Sequence, residues 1–148
     1  MKTIKPTKTI RLTLDGYWIE EAYSKNDIPK EPGVYCVYSC TFNKLYNDIS
    51  IRKLIYVGES DNVRSRITEH ERLEDWKRHL RKRETLCYSF APIADEDDRE
   101  RAEAAIINYF RPPENTDYVN GFPFESTRIR LFVKPEKLFM RFPVWRTL

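Results

Sequence analysis

The sequence is short of the features that mark secreted and membrane proteins. It holds only three cysteines in 148 residues, an odd number without the spacing of a disulfide framework. No apolar run approaches the roughly 18 residues of a membrane-spanning helix, and no charged leader followed by an apolar segment opens the chain. These absences predict a reduced, soluble, cytoplasmic protein without a membrane partner.

Net charge is also low. Against 26 lysines and arginines stand 23 acidic residues, a net charge of +3, so the total indicates a polyanionic partner only weakly and the distribution matters more. Basic residues concentrate in the run 76–83 (WKRHLRKR), a composition typical of phosphate binding. We expect nucleic-acid contacts from Lys77, Arg78, Arg81, Lys82 and Arg83. A solvated helix face, neutralised by Glu69, Glu71, Glu74 and Asp75, fits the run equally well.

The pair Cys36 and Cys40 has the spacing of half a zinc site. No second Cys or His pair follows, and a structural zinc site needs four ligands. Free cysteine usually behaves as a small buried hydrophobe, so ordinary packing is the favoured interpretation.

Two apolar runs rich in Val, Ile and Tyr, 33–39 and 53–58, have the composition of buried strands. We expect them to pair antiparallel. Turn-forming residues between them, Asn47 included, predict a long hairpin loop. The alternating run Thr9–Leu14 and the run Thr127–Val133 predict further strands, and Trp145 adds an aromatic near the C-terminus.

A helix is predicted from about Asp61, with Ser60 or Asp61 as its N-cap. On a helical wheel Arg66 and His70 fall within the apolar face. Arg64 and Arg72 fall on the opposite, solvated side, where charged side chains are expected.

A second helix is predicted from the acidic run 95–98 to about Phe110, ended by Pro112 and Pro113. The acidic run suits the positive end of the helix dipole, and we assign it no metal. Glu103 falls inside the apolar arc of this helix, where an ionised carboxylate needs a partner. Arg66 or a metal ion would serve. Without further information, these polar residues fit a buried structural network as well as an active site.

Motif spacing adds to this pattern. The chain carries Gly33-Val34-Tyr35, then Tyr56-Val57-Gly58, Arg66 ten residues after Tyr56, His70 four residues later, Glu103, and Asn115 after Pro112 and Pro113. Two of only four glycines occupy motif positions. In these elements and their order, residues 32–115 resemble the GIY-YIG nuclease family, and the His70 position resembles that of restriction-type members.

The resemblance implies an α+β fold with a small antiparallel β-sheet of about three central strands flanked by helices, with extra N- and C-terminal strands. We expect a single domain, 1–148, in which a catalytic core at 32–115 lies between extensions at 1–31 and 116–148. The implied activity is metal-dependent DNA endonuclease cleavage of phosphodiester bonds, either of restriction type or directed at a particular DNA structure.

The resemblance also implies roles for single residues. Glu103 would hold one Mg²⁺, for which Mn²⁺ substitutes, and Arg66 would bind the scissile phosphate. Tyr35 would act as general base or orient the attacking water, with His70 accepting or relaying the proton and Tyr56 positioning phosphate or water. Asn115 would brace the active-site loop and orient Glu103.

The chain departs from the pattern at one position. Glu59 follows Gly58 where some relatives carry lysine, a role that passes to Lys44 or Lys53 if it is kept. The alternative is therefore a noncatalytic nucleic-acid-binding module that retains the fold. Double-strand cutting by one small site usually calls for two subunits, so a homodimer is a further expectation.

Overall fold

The structure is a computed structural model that describes residues 8–46, 48–133 and 138–144. Its strands are β1 (Lys8–Ile19), β2 (Gly33–Asn43), β3 (Asp48–Ser60), β4 (Thr85–Pro92), β5 (Thr127–Val133) and β6 (Leu138–Val144). Its α-helices are α1 (Val63–Thr68), α2 (Leu73–Lys77) and α3 (Glu96–Phe110), with a short 3-10 turn at Lys25–Asp27. The predicted turn residue Asn47 and the C-terminal Trp145 lie outside the described residues, as do parts of both predicted extensions.

The strands form one sheet in the order β3-β2-β4-β1-β5-β6. β1 pairs parallel with β5, and the other neighbours pair antiparallel. The three antiparallel strands β3, β2 and β4 are the predicted centre, flanked by N- and C-terminal strands, so the predicted α+β class is confirmed. The third central strand, β4, carries no motif and was not assigned from the sequence.

β2 is buried on both faces, which explains its continuous apolar sequence. Val34 and Cys36 pack on one side of the sheet, and Tyr35 and Val37 on the other, as the two-residue period of a strand requires. The antiparallel pairing of β2 with β3 confirms the predicted hairpin. The predicted long loop is wrong, because β2 continues to Asn43, whose side-chain oxygen accepts the backbone N–H of Leu45 in a tight turn.

Helix α1 is shorter than predicted. Its N-cap is Asn62, not Ser60 or Asp61, and the Asn62 side chain accepts the N–H of Ser65. It ends at Thr68, so the wheel does not apply beyond that residue. Arg64 also differs from the prediction, because it is half-buried and donates to the carbonyls of Ile28 and Asn26, which ties α1 to the preceding segment.

Helix α3 follows the prediction closely. The Asp95 side chain caps it by accepting the N–H of Asp98, and Arg111 ends it in a left-handed conformation. Charged residues on its first turns bond to the outer strands: Lys8 of β1 pairs with Asp98, and Arg101 donates to the Thr127 hydroxyl of β5. The helix is thereby fixed across the sheet.

Two apolar clusters lie on the two sides of the sheet. All three cysteines are free and buried in the core, in agreement with the packing interpretation. Within the described ranges, no helix is long and apolar enough to cross a membrane.

Candidate active site

A polar cleft of about 410 Å³ opens beside the edge strand β3. Strands β2 and β3, helix α1, the turn after α1 and helix α3 all contribute to it. Its lining consists of Tyr35, Tyr56, Gly58, Glu59, Arg66, Glu69, His70, Glu71, Arg72 and Glu103. Five of the six predicted catalytic residues therefore meet in one cleft, and the sixth, Asn115, bonds to the backbone of the edge strand β3.

Gly58 and Tyr35 form the tightest contact of the cleft. They are register partners on neighbouring strands, and the Tyr35 phenol lies across the glycine. A Cβ on Gly58 would collide with the ring carbon and hydroxyl oxygen at the end of the Tyr35 side chain. Glycine is required here because the phenol occupies the space of a side chain.

Tyr35 and Tyr56 lie on the same side of the hairpin, with ring centroids 6.1 Å apart. Tyr35 is almost fully buried, at 2% exposed. Burial, and secondarily the neighbouring Tyr56, raise the pKa of Tyr35 far above its ordinary value. The phenol therefore keeps its proton throughout the neutral pH range.

Glu103 projects from the middle of α3 into the cleft and is mostly buried. Desolvation by burial, followed by the nearby Glu59 carboxylate, raises the pKa of Glu103 to about 7, which the backbone amide of Glu59 partly offsets. Among the described residues, no basic side chain forms an ion pair with Glu103, so Arg66 is not the partner that its position suggested.

Arg66 is exposed, although the wheel placed it among buried apolar residues. Its side chain lines the cleft, and its guanidinium bonds to no other side chain in the described part of the chain. An arginine without a partner beside an unpaired carboxylate leaves both groups available to a ligand.

His70 reaches the cleft from the turn after α1, not from the helix itself. Its ring stacks on the buried Trp76 with centroids 3.7 Å apart. Its Nδ1 accepts the backbone N–H of Arg72 at 2.9 Å. Burial, then the charges of Arg72 and Arg66, lower the pKa of His70 to about 4, so the ring is neutral and carries its proton on Nε2.

The Asn115 side chain pairs with the backbone of β3 as a neighbouring strand would. Its Oδ1 accepts the N–H of Val57 and its Nδ2 donates to the Val57 carbonyl, both at 2.9 Å. The preceding Glu114 donates its N–H to the carbonyl of Ile55 at 3.1 Å. The backbone on either side of Val57 carries Tyr56 and Gly58, so Asn115 fixes the strand that forms the cleft wall. Its described side-chain hydrogen bonds reach β3 and not Glu103.

Comparison with protein families decides the identity. The family model of the GIY-YIG catalytic domain matches residues 32–117, more than half of the chain. The chain belongs to the GIY-YIG family. A search of curated proteins and a search of solved structures found no match. Membership shows a nuclease-type domain, and nucleases of this family generally depend on a divalent metal.

Glu59, the departure from the GIY-YIG pattern, is neutralised inside the protein. Arg99, one helical turn before Glu103 on α3, donates from Nε to Glu59 Oε2 at 3.0 Å. Arg99 is buried and also donates to the carbonyl of Ala94 at 2.9 Å. The negative charge of Glu59 is therefore compensated by Arg99 within the protein.

The basic run forms only partly a helix, because α2 ends at Lys77. Lys77 pairs with Glu74 and Arg78 with Asp75, each three residues apart. Arg81, Lys82 and Arg83 follow in a turn and are exposed. Of the four predicted neutralising acids, two pair with the run, and Glu69 pairs with Lys25 at 3.7 Å.

Two residues of the site escaped the sequence interpretation. Arg72 was placed on the solvated side of a continuous helix, but α1 ends earlier and Arg72 lines the cleft. Arg99 sits one turn before Glu103, and that spacing on one helix face was the available signal. Its acidic partner on β3 has no signature in the sequence.

Proposed function

We propose that this chain is a DNA endonuclease that hydrolyses phosphodiester bonds with a divalent cation, Mg²⁺ or Mn²⁺. One observation carries the proposal: Glu103, Arg66 and the rings of Tyr35, Tyr56 and His70 line a single open polar cleft. An anionic ligand for a metal, a cation for a phosphate and hydrogen-bonding groups for water are thus available together.

Glu103 fits a hard divalent cation. Such ions prefer oxygen ligands, and Mg²⁺ keeps several waters and takes one or two carboxylates. No group of three or more His, Cys, Asp or Glu that could hold a metal occurs in the described part of the chain, which suits an ion held by Glu103 and water. When bound, such a cation supplies Lewis-acid stabilisation of the charge on the phosphate.

Arg66 binds the scissile phosphate in this proposal. Its guanidinium is exposed in the cleft and has no acidic partner among the described residues. A planar fork of donors suits two phosphate oxygens, and charge-assisted hydrogen bonds strengthen as negative charge develops in the transition state. Lysine would retain the charge but lose the fork.

The three rings place the attacking water. The raised pKa of Tyr35 opposes a role as phenolate base, so we infer that its hydroxyl orients the water, with Tyr56 beside it. His70 offers a donor at Nε2, because its Nδ1 already accepts the N–H of Arg72. We infer a hydrogen-bond donor to water or phosphate, in place of the predicted proton acceptor.

The position of His70 relative to Arg66 favours the restriction-type branch of the family, by resemblance. The exposed Arg81, Lys82 and Arg83 support an additional role in holding the backbone of a DNA duplex. Lys77 and Arg78 complete this surface when DNA phosphates replace their acidic partners. Phosphate contacts position a duplex, and base contacts specify its sequence.

The test is cleavage of supercoiled plasmid by wild type, Glu103→Gln and Arg66→Gln, each with Mg²⁺, Mn²⁺ or EDTA. Glu96→Gln is the matched control, because Glu96 is an exposed acid on the first turn of the same helix. We expect metal-dependent nicking or linearisation by wild type and the control, and loss of cutting in the two cleft variants.

Equal cutting by Glu103→Gln would contradict the assignment of the metal to Glu103. Folded wild type that binds plasmid, branched and single-stranded DNA without cutting any of them would identify a noncatalytic binding module. Cutting of an RNA substrate alone would move the substrate class from DNA to RNA.

The role of His70 has its own test. Glutamine places an N–H near the position of Nε2, whereas asparagine places its side-chain oxygen near Nδ1. If His70 acts as a donor, His70→Gln should retain about tenfold more cleavage rate than His70→Asn. A cleavage rate in His70→Gln no higher than that in His70→Asn would contradict the donor role.

A further inference from the structure

Arg72 lies in the turn between α1 and α2 and extends over the cleft. Its guanidinium carbon stands 4.9 Å from the centroid of the Tyr56 ring, within the range of a cation–π contact. Arg66, the other arginine of the cleft, acts on Tyr35 together with Glu103. Both arginines therefore line one cleft, in which the Arg72 guanidinium contacts the Tyr56 ring.

The guanidinium of Arg72 is held from behind. Nη2 donates to the backbone carbonyl of Glu114 at 2.9 Å and lies 3.3 Å from Glu114 Oε2. Glu114 is itself fixed, since His79 Nε2 contacts its Oε1 at 2.7 Å and its N–H bonds to β3. The anchored group loses little further freedom when a ligand binds, which favours affinity.

One edge of this guanidinium has no partner. Nε is 4.0 Å from Asp75 Oδ2, a weak contact, and no acceptor for Nη1 is found in the described ranges. Nη1 carries two N–H groups, and 39% of the side chain is exposed. Arg72 thus keeps a pair of oriented donors while Glu114 occupies the opposite edge.

We propose that Arg72 binds, through Nη1, the DNA phosphate that flanks the scissile phosphate, and that Glu114 fixes the guanidinium for this contact. The inference rests on the proposed nuclease function, in which Arg66 and Glu103 act at the scissile phosphate. A strand that places one phosphate at Arg66 carries its neighbour along the cleft to Tyr56, where Arg72 lies. His70 lines the same cleft as both arginines.

The first measurement is the affinity of a fluorescent duplex, containing the cut site mapped on the plasmid, over a series of salt concentrations in EDTA. Each phosphate contact contributes about −0.9 to the slope of log affinity against log salt. Arg72→Gln should weaken binding about tenfold and reduce the slope by about one contact. Arg128→Gln, which removes the same charge from an exposed position on β5 outside the cleft, should leave both unchanged.

The second measurement replaces single phosphates of the cut strand with uncharged methylphosphonates. Wild type should lose affinity at the flanking phosphate, and Arg72→Gln should lose nothing more there, because the two changes remove one contact. Arg66→Gln should likewise lose no further affinity when the scissile phosphate, and not the flanking one, is made uncharged. Wild-type slope and wild-type sensitivity at every phosphate in folded Arg72→Gln would overturn the proposal.

Two controls keep the outcome decisive. Should Arg72→Gln fail to fold, Arg72→Lys replaces it: reduced sensitivity at the flanking phosphate supports the proposal, and unchanged sensitivity at every position overturns it. A wild type that cuts plasmid while Arg72→Gln binds like wild type overturns this inference alone. A wild type that neither binds nor cuts DNA overturns the proposed function and this inference with it.

Discussion

Charged residues on the first turns of α3 have partners within the protein, whereas the charged residue in its middle has none among the described residues. On the first turns, Asp98 pairs with Lys8, Arg99 with Glu59, and Arg101 donates to Thr127. In the middle, Glu103 is mostly buried without an ion pair among the described residues. Glu103 is the fourth residue after the paired Arg99, one helical turn along α3. An unpaired buried carboxylate destabilises a fold, so the fold itself does not account for the acid in the middle of the helix, and we propose a functional role for it.

The largest expected effect comes from Glu103→Gln, which removes the charge while preserving the shape. Loss of the carboxylate should lower cleavage at least about 1,000-fold, because metal stabilisation is worth several kcal/mol. The same variant should be more stable than wild type above pH 7 without metal. Plasmid cleavage and chemical denaturation at several pH values measure the two effects.

The sign of the stability effect follows from the pKa of Glu103, raised from 4.5 to about 7 in the folded protein. The folded state binds this proton more tightly than the unfolded state, so the contribution is complete below pH 4.5 and is lost as pH rises through 7. Glutamine does not titrate, so Glu103→Gln should exceed wild type in free energy of unfolding by up to about 3 kcal/mol at pH 8. An equal stability difference at pH 4.5 and 8 would contradict this origin.

Arg99→Met should remove the ion pair between α3 and Glu59 and destabilise the fold. It leaves Glu59 without its cation and removes the bond to Ala94, for an expected loss of about 2 to 3 kcal/mol. Adding Glu59→Gln should recover about half of the loss, because the stranded charge is removed. Denaturant unfolding of the four proteins measures the coupling. Additive losses in the double variant would mean that the two side chains act independently.

Asn115→Ala tests how much the two hydrogen bonds between Asn115 and β3 stabilise the fold. The variant leaves the N–H and carbonyl of buried Val57 unsatisfied, for an expected loss of about 1 to 3 kcal/mol. Asn115→Asp keeps the acceptor for the Val57 N–H and should recover part of the stability. Cleavage should fall in both variants, since Tyr56 and Gly58 flank the loosened residue. Unfolding midpoints equal to wild type would show that this pairing contributes nothing.

The smallest expected effect is a shift in a pH profile. Glu103 must lose its proton to hold a cation, so cleavage at low Mg²⁺ should rise with pH to a plateau above about 7. A tenfold increase in Mg²⁺ should move the midpoint lower, by up to about one pH unit, because metal and proton compete. The midpoint is measured from initial rates. A midpoint independent of Mg²⁺ would assign the profile to another group.

Local patterns allowed much of this arrangement to be predicted. Tyr35, Tyr56 and Gly58 lie in apolar strand runs whose register follows from one hairpin, and Glu103 lies within a regular helix with clear start and stop signals. These features depend on neighbours within a few residues, which a sequence displays directly. The resemblance to the family then indicated which polar residues meet.

Long-range polar contacts were not predictable in this way. The Glu59–Arg99 pair joins residues 40 positions apart, and the Asn115–Val57 pair joins residues 58 positions apart. Arg72 was misplaced for a local reason, since a helix of six residues was extended past its end. The His70 ring accepts the backbone N–H of Arg72, which would otherwise bond to a carbonyl in a continuing helix. This bond favours a turn, and a side chain that replaces a helical hydrogen bond in this way leaves no periodic signal in the sequence.

The parallel pairing of β1 with β5 joins segments that lie far apart in the sequence, so we expect it to form late in folding. Lys8 is in register with Thr127, so this contact closes a loop of about 120 residues. The hairpin, β4 and α3 join over shorter separations, and contacts close in sequence form faster. Every residue that lines the cleft precedes β5. We expect the nuclease centre to assemble before the outer half of the sheet, with those later strands locking a cleft that already exists.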